Sequence, residues 1–173
     1  MVWVVVVGLS FSLLGGCAST RSMAARAVGW IPWIHERPQA AAALAPSVAV
    51  RTRKLEMTLQ LTPFPVKLSE TRRLVATLRL KNISPHFVQL EFPTSQRFDV
   101  TLKDAKGRLV AQWSEDQAYE PVPGYIRINP GEQVEFLAAL ATRDLQAAKP
   151  YTLTAFLPDQ KDLTAELTLV PER

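Results

Sequence analysis

Residue types able to do chemistry near neutral pH are scarce in this chain: one cysteine, Cys17, and two histidines, His35 and His86. A thiolate is a nucleophile and a histidine is the ordinary base at that pH. His86 follows Ser84-Pro85, so Ser84 or Ser95 with His86 and Asp99 makes a Ser-His-Asp set on paper. Neither serine lies in the strained Gly-x-Ser-x-Gly turn that exposes a nucleophile. His35 has no ligand-type partner at metal spacing. Glycine-rich phosphate loops, spaced metal ligands and paired catalytic acids are missing from the sequence as well. The chain therefore reads as non-enzymatic, with no cofactor, metal or small-molecule substrate. A lone cysteine also excludes an intrachain disulfide and a cysteine zinc cage.

The position of Cys17 gives it meaning. Met1 to Leu14 is an uncharged, mostly apolar run ending in Gly15-Gly16-Cys17. That length suits the apolar region of an export signal and falls short of the roughly 20 residues of a spanning helix. Leu14-Gly15-Gly16-Cys17 resembles a lipobox, with a branched residue at −3 and small residues before the cysteine. The resemblance implies cleavage between Gly16 and Cys17 and a lipid on the Cys17 sulfur. Residues 1–16 are then a signal peptide without the usual basic start. A small buried cysteine or an uncleaved anchor are the other readings of the same residues. Ala18-Ser19-Thr20 has no acid, which by resemblance to lipoprotein sorting signals implies an outer-membrane anchor facing the periplasm in a diderm host.

Charge divides the chain. Residues 1–54 carry six basic groups against Glu36, a net of +5, whereas the rest nets −1. The high sequence pI thus belongs to the leading segment and not to a Lys/Arg stripe on a domain, which argues against nucleic-acid binding. Residues 17–54, rich in Ala, Pro and Arg, read as a tether. Its apolar island, Trp30-Ile31-Pro32-Trp33-Ile34, suits either the membrane interface beside Arg21 and Arg26 or packing on the domain.

From Leu55 onward apolar residues recur with period two, the signature of half-buried strands. The sets are Leu55 to Leu61, Leu74 to Leu80, Val88 to Phe92, Phe98 to Leu102, Leu109 to Trp113, Val134 to Leu140, Tyr151 to Leu157 and Leu163 to Leu169. Turn chemistry separates them, including Ser84-Pro85, Asp104 to Gly107, Pro121 to Gly124 and Asn129-Pro130-Gly131. Short strands without amphipathic helices between them predict an all-β, immunoglobulin-like antiparallel sandwich of seven to eight short strands over residues 55–173. Trp113 is expected as a buried plate between the sheets.

The runs Leu80-Lys81-Asn82-Ile83-Ser84, Val88 to Phe92 and Ser95-Gln96-Arg97-Phe98-Asp99-Val100, followed by Gly107, Gln112-Trp113-Ser114, Pro130-Gly131-Glu132 and Tyr151, occur in an order and spacing that resemble the BsuPI-type intracellular proteinase inhibitor domain. The resemblance covers residues 73–157. It implies a sandwich that binds a protease, with Asn82, Phe92, Phe98, Asp99, Gly107, Trp113, Pro130, Gly131 and Tyr151 as residues that specify the fold. Asn82 is expected to bond the turn that follows it, and Asp99 to fix the loop Thr94-Ser95-Gln96.

The longest break, Ser114 to Arg127, is the candidate binding loop, because it carries Pro121, Pro123 and Gly124 and presents Tyr119 and Tyr125. Two functions remain open on the sequence. One is an envelope lipoprotein that inhibits a serine protease through this loop, and the other is a protein-binding envelope module without inhibition. Its expected partners are the membrane through the lipid and a protease or envelope protein, with the domain itself a monomer.

Overall fold

The structure, a computed structural model, describes residues 45–173. Cys17, Gly16 and the island Trp30 to Ile34 lie outside the described residues. Ten strands follow one another: β1 (Ser47–Arg51), β2 (Leu55–Thr62), β3 (Arg73–Asn82), β4 (Val88–Phe92), β5 (Asp99–Asp104), β6 (Leu109–Gln112), β7 (Gly124–Ile128), β8 (Gln133–Ala141), β9 (Tyr151–Leu157) and β10 (Gln160–Leu169). One 3-10 turn, Trp113–Asp116, follows β6. The strands form a four-stranded sheet β1-β2-β3-β8, a second sheet β10-β9-β5-β6, and a two-stranded ribbon β4-β7. All these pairings are antiparallel.

Register explains the core. In the first sheet Met57, Leu59 and Leu61 stand opposite Leu80, Leu78 and Ala76, which in turn stand opposite Val134, Phe136 and Ala138. In the second, Leu153 lies between Leu102 and Leu167, and Ala155 between Val100 and Ala165. The alternating residues of each sheet thus line up across the strands and meet in one cluster between the sheets. A one-residue slip would turn a whole strand's apolar set outward, so the pattern fixes the register. Each fully buried leucine contributes roughly 1.5–3 kcal/mol through the apolar area removed from water. The antiparallel sandwich expected from the sequence is therefore present, with two strands more than the period-two runs indicate.

Both extra strands have short apolar sets. β1 carries only Val48 and Val50 on its half-buried face, lies in the stretch read as tether, and pairs along β2 from Ser47 opposite Gln60 to Arg51 opposite Glu56. β7 lies in the stretch read as loop and owes its conformation to pairing with β4. Between β5 and β6, Gly107 adopts φ +75, the left-handed region that favours glycine. Asp104 closes the same turn, its carboxylate accepting from the backbone N–H of Lys106 and Arg108 and from the Arg108 guanidinium. That side-chain bond is the largest of the influences holding the Asp104 carboxyl below the usual carboxylate range.

Candidate functional site

β4 ends at Phe92, directly opposite Gly124 at the start of β7. Two loops therefore meet beyond the end of the ribbon: Pro93–Arg97 leaving β4, and Gln117–Pro123 entering β7. They are joined by reciprocal bonds. The backbone N–H of Ser95 donates to the Glu120 carbonyl at 3.0 Å, and the N–H of Glu120 donates to Ser95 Oγ at 2.9 Å. Arg97 braces the first loop from below. Its guanidinium lies over the Phe92 ring, 5.0 Å from the centroid, and donates to the Thr94 carbonyl. The same guanidinium lies against Gly124, so a Cβ there would push the end of the Arg97 side chain aside.

The result is a tip held from both sides. Pro121, Val122 and Pro123 stand at its surface, with Val122 57% exposed, and Tyr125 is 65% exposed on the outer face of the ribbon. Ring closure already limits the backbone at both prolines, which lowers the entropy lost when such a loop is bound. On the same outer face Arg127 lies over the Phe87 ring at 4.0 Å from its centroid. Phe87 and Val122 are parts of this surface that the sequence reading did not name as candidates, and it gave Ser95, Arg97 and Arg127 no role in holding this tip. The tripeptide Pro121-Val122-Pro123 is a usable signal for Val122; the others depend on the β4–β7 pairing.

Tyr119 is placed differently from the expectation of a presented side chain. It is half-buried, its hydroxyl is enclosed, and the hydroxyl has no hydrogen-bond partner. Burial, and then the nearby Asp99 carboxylate, push its pKa above the ordinary tyrosine value. Gly124 and Tyr125 belong to β7 and not to a loop.

Asp99 does not fix the loop Thr94-Ser95-Gln96. It is 2% exposed and holds the segment after β6 instead. Its oxygens accept from Ser114 Oγ at 2.7 Å, Ser114 N at 3.2 Å, Gln112 Nε2 at 2.6 Å and the backbone N–H of Val100 at 2.8 Å. The reason is direction: Phe98, just before β5, and Val100 within it face the core, so Asp99 between them faces the outer side of its sheet, where the segment Gln112–Ser114 covers it. The 94–96 loop is held by Thr94 Oγ1, which accepts from Gln96 N–H, and by Arg97 and Glu120.

Trp113 is likewise corrected. It is half-buried and begins the 3-10 turn rather than closing a strand. Its ring stacks on Phe98 at 4.3 Å between centroids, and Phe98 stacks on Phe136 of the opposite sheet at 5.0 Å. The tryptophan caps a three-ring stack at the margin of the core, because the chain leaves β6 just before it.

The other motif residues build the frame behind the tip. Asn82 is fully buried, and its amide donates to the carbonyls of His86 and Ile128 while its oxygen accepts from Ser84 N–H and Oγ. One side chain thus ties the turn after β3 to the end of β7. Its backbone reaches the Pro130-Gly131 turn, where Gly131 has φ +75 and donates to the Asn82 carbonyl. The Tyr151 hydroxyl accepts from Gln146 N–H. Phe92 and Phe98 are buried.

Nothing in this arrangement assembles the Ser-His-Asp set written from the sequence. Asp99 is taken up by Gln112, Ser114 and its own strand, and Ser84 Oγ bonds Asn82 and the His86 carbonyl. No group of three or more potential metal ligands occurs among the described residues.

The fold is an antiparallel sandwich that presents a braced, proline-flanked tip. Its family is defined by the sequence: a model described as BsuPI, intracellular proteinase inhibitor, matches residues 65–162, and the chain belongs to that family. The sequence has no match among curated proteins. Among solved structures it is similar to the yjhA protein from Bacillus subtilis, at 17% identity over 72% of this chain and 96% of that one, with a TM-score of 0.38. It is also similar to part of a β-glucosidase from Erythrobacter marinus, at 13% identity, 73% of this chain, 15% of that chain and TM-score 0.39. A β-glucosidase from Listeria innocua matches at 15% identity, 69% of this chain, 16% of that chain and TM-score 0.39. The chain thus spans about one sixth of the length of these glucosidases.

Proposed function

We propose that this chain is a non-catalytic lipoprotein of the cell envelope that inhibits a serine protease by inserting the tip Glu120–Pro123 into the enzyme's cleft. The reading is supported by family membership and by one observation above all: Val122 stands exposed between two prolines in a loop latched to its neighbour by the Ser95–Glu120 pair. A loop already ordered in the free protein binds without the entropy loss of a flexible one. Val122 supplies an apolar contact for a specificity pocket, and Tyr125 adds a broad ring beside it, the residue type that dominates binding energy at interfaces.

The anchor is supported by the run Met1 to Leu14 and by Leu14-Gly15-Gly16-Cys17. Acylation of Cys17 keeps the domain at the membrane, on the periplasmic side of the outer membrane in a diderm host. Two measurements test the two halves of the proposal. Intact mass of the membrane-extracted protein reads the lipid on Cys17, and a mature protein without it rejects the anchor. Residual activity of a panel of serine proteases, titrated with the full chain, reads the inhibition, and unchanged activity across the panel rejects it.

A further inference from the structure

Among the described residues the β4–β7 ribbon has only two strands, so none of them pairs with the other edge of β4. No further backbone or side-chain hydrogen bond among the described residues reaches the main chain of Val88–Phe92. Two open depressions lie beside it. The larger, about 1240 Å³, is lined by Val88 and Leu90 of β4, by Leu55 and the turn Arg51–Lys54, and by Gln160–Leu163 of β10. The smaller, about 480 Å³, is lined by Glu91, Phe92, Pro93, Pro123 and Tyr125. Asp159, in the β9–β10 turn, lines both, so together they take in β4 from one end to the other.

We infer that the free edge of β4 is a docking site for an extended peptide that adds a strand to the ribbon. Unpaired main-chain groups at a sheet edge template such pairing, and alternate side chains of the added strand enter the neighbouring pockets. Five residues of β4 run about 17 Å, enough for five residues of guest strand. The wider depression has an apolar floor of Leu55, Val88, Leu90 and Leu163, which suits aliphatic side chains at every second position.

Charge selects the guest. The β1–β2 turn brings Arg53 and Lys54 to the Val88 half, where Lys161 also stands; these three exposed cations outnumber the carboxylates Asp159 and Asp162 in the same lining, none of the five is in an ion pair among the described residues, and Arg51 beside them is already paired with Glu56. The Phe92 half carries Glu91 and Asp159 beside the Tyr125 ring, with no basic residue in its lining. A guest bearing acids at one end and an arginine or lysine at the other complements both halves, the cation lying against two carboxylates and an aromatic face. This site goes beyond protease inhibition, since strand addition needs no protease cleft.

The test uses the full chain and a fluorescent nine-residue peptide of alternating valine and threonine, with two aspartates at one end and two arginines at the other. Both orders are made, together with a scrambled control. Anisotropy should report binding of one order over the other and over the control, and amide exchange in Val88–Phe92 should slow at least tenfold on binding. Arg53→Glu with Lys54→Glu should weaken binding at least tenfold, and a peptide carrying arginines at both ends should regain it on that variant. Loss of protease inhibition in any of these proteins is a separate readout and does not bear on the edge. Absence of peptide binding, binding of all three peptides alike, or unchanged exchange in β4 overturns the inference.

Discussion

Asp99 and Ser114 are bonded twice, the Ser114 hydroxyl to one carboxylate oxygen at 2.7 Å and the Ser114 N–H to the other at 3.2 Å. This pair, a buried carboxylate and a half-buried serine, fastens the end of β6 and the following 3-10 turn to the start of β5, and the chain runs from there into the Gln117–Pro123 loop. The strength of the tip therefore depends on a carboxylate fifteen residues upstream of its partner. Asp99→Ala should cost roughly 2–4 kcal/mol, since it removes the acceptor of one buried and three part-buried hydrogen bonds at once. Ser114→Ala, which removes one hydroxyl, should cost about 1 kcal/mol. Urea unfolding of both variants checks the order, and equal costs would contradict the role given to the carboxylate.

Trp113 is half-buried at the margin of the core, so its truncation costs less than that of a central aromatic residue. Trp113→Ala should destabilise by roughly 2–3 kcal/mol, below the 3–5 kcal/mol of a fully buried tryptophan. Trp113→Phe should recover part of that, because a ring still stacks on Phe98. A loss as small as that of an exposed residue would reject the three-ring stack.

Tyr119 holds a buried hydroxyl without a partner, which is a cost in the folded state. Tyr119→Phe should leave stability unchanged or raise it by up to about 1 kcal/mol. The pH dependence has a definite sign. The folded pKa lies above the unfolded one because burial and Asp99 disfavour the phenolate, so the unfolded state loses the proton first and stability falls as pH rises through the unfolded tyrosine value. Alkaline denaturation should therefore set in later in Tyr119→Phe than in the parent, and identical profiles would contradict it.

β1 pairs along the edge of β2, so the domain needs residues upstream of Leu55. A chain beginning at Ala45 should unfold cooperatively, whereas one beginning at Leu55 should be less stable and more prone to associate through the bared β2 edge. Light scattering and urea melts distinguish them. Equal stability would return β1 to the tether.

The sandwich was legible because its central strands carry four apolar residues each at period two, as in Leu74 to Leu80, and a register slip there exposes all of them. β1 and β7 were not, because each has two apolar residues and relies on a neighbouring strand for its conformation. Asn82 was read in part: its bond to the following turn is local in sequence, whereas its bond to Ile128 spans 46 residues. Asp99 was misplaced for the same reason, since its partners Gln112, at the end of β6, and Ser114, in the 3-10 turn, lie 13 and 15 residues away. The Pro121 to Gly124 stretch announced a surface turn, yet its latch to Ser95 lies 25 residues away and leaves no trace in local pattern.

The central claim is that the latched tip is the inhibitory element, and the inhibition constant of tip variants against a protease held by the parent chain tests it most directly. Val122→Asp puts a charge where an apolar side chain enters the cleft, and should weaken inhibition at least a hundredfold, about 3 kcal/mol, with the melting temperature unchanged because the residue is exposed. Ser95→Gly, which removes one bond of the latch, should weaken inhibition by about tenfold through loss of order in the free loop. Inhibition by Val122→Asp as strong as that of the parent would contradict the account.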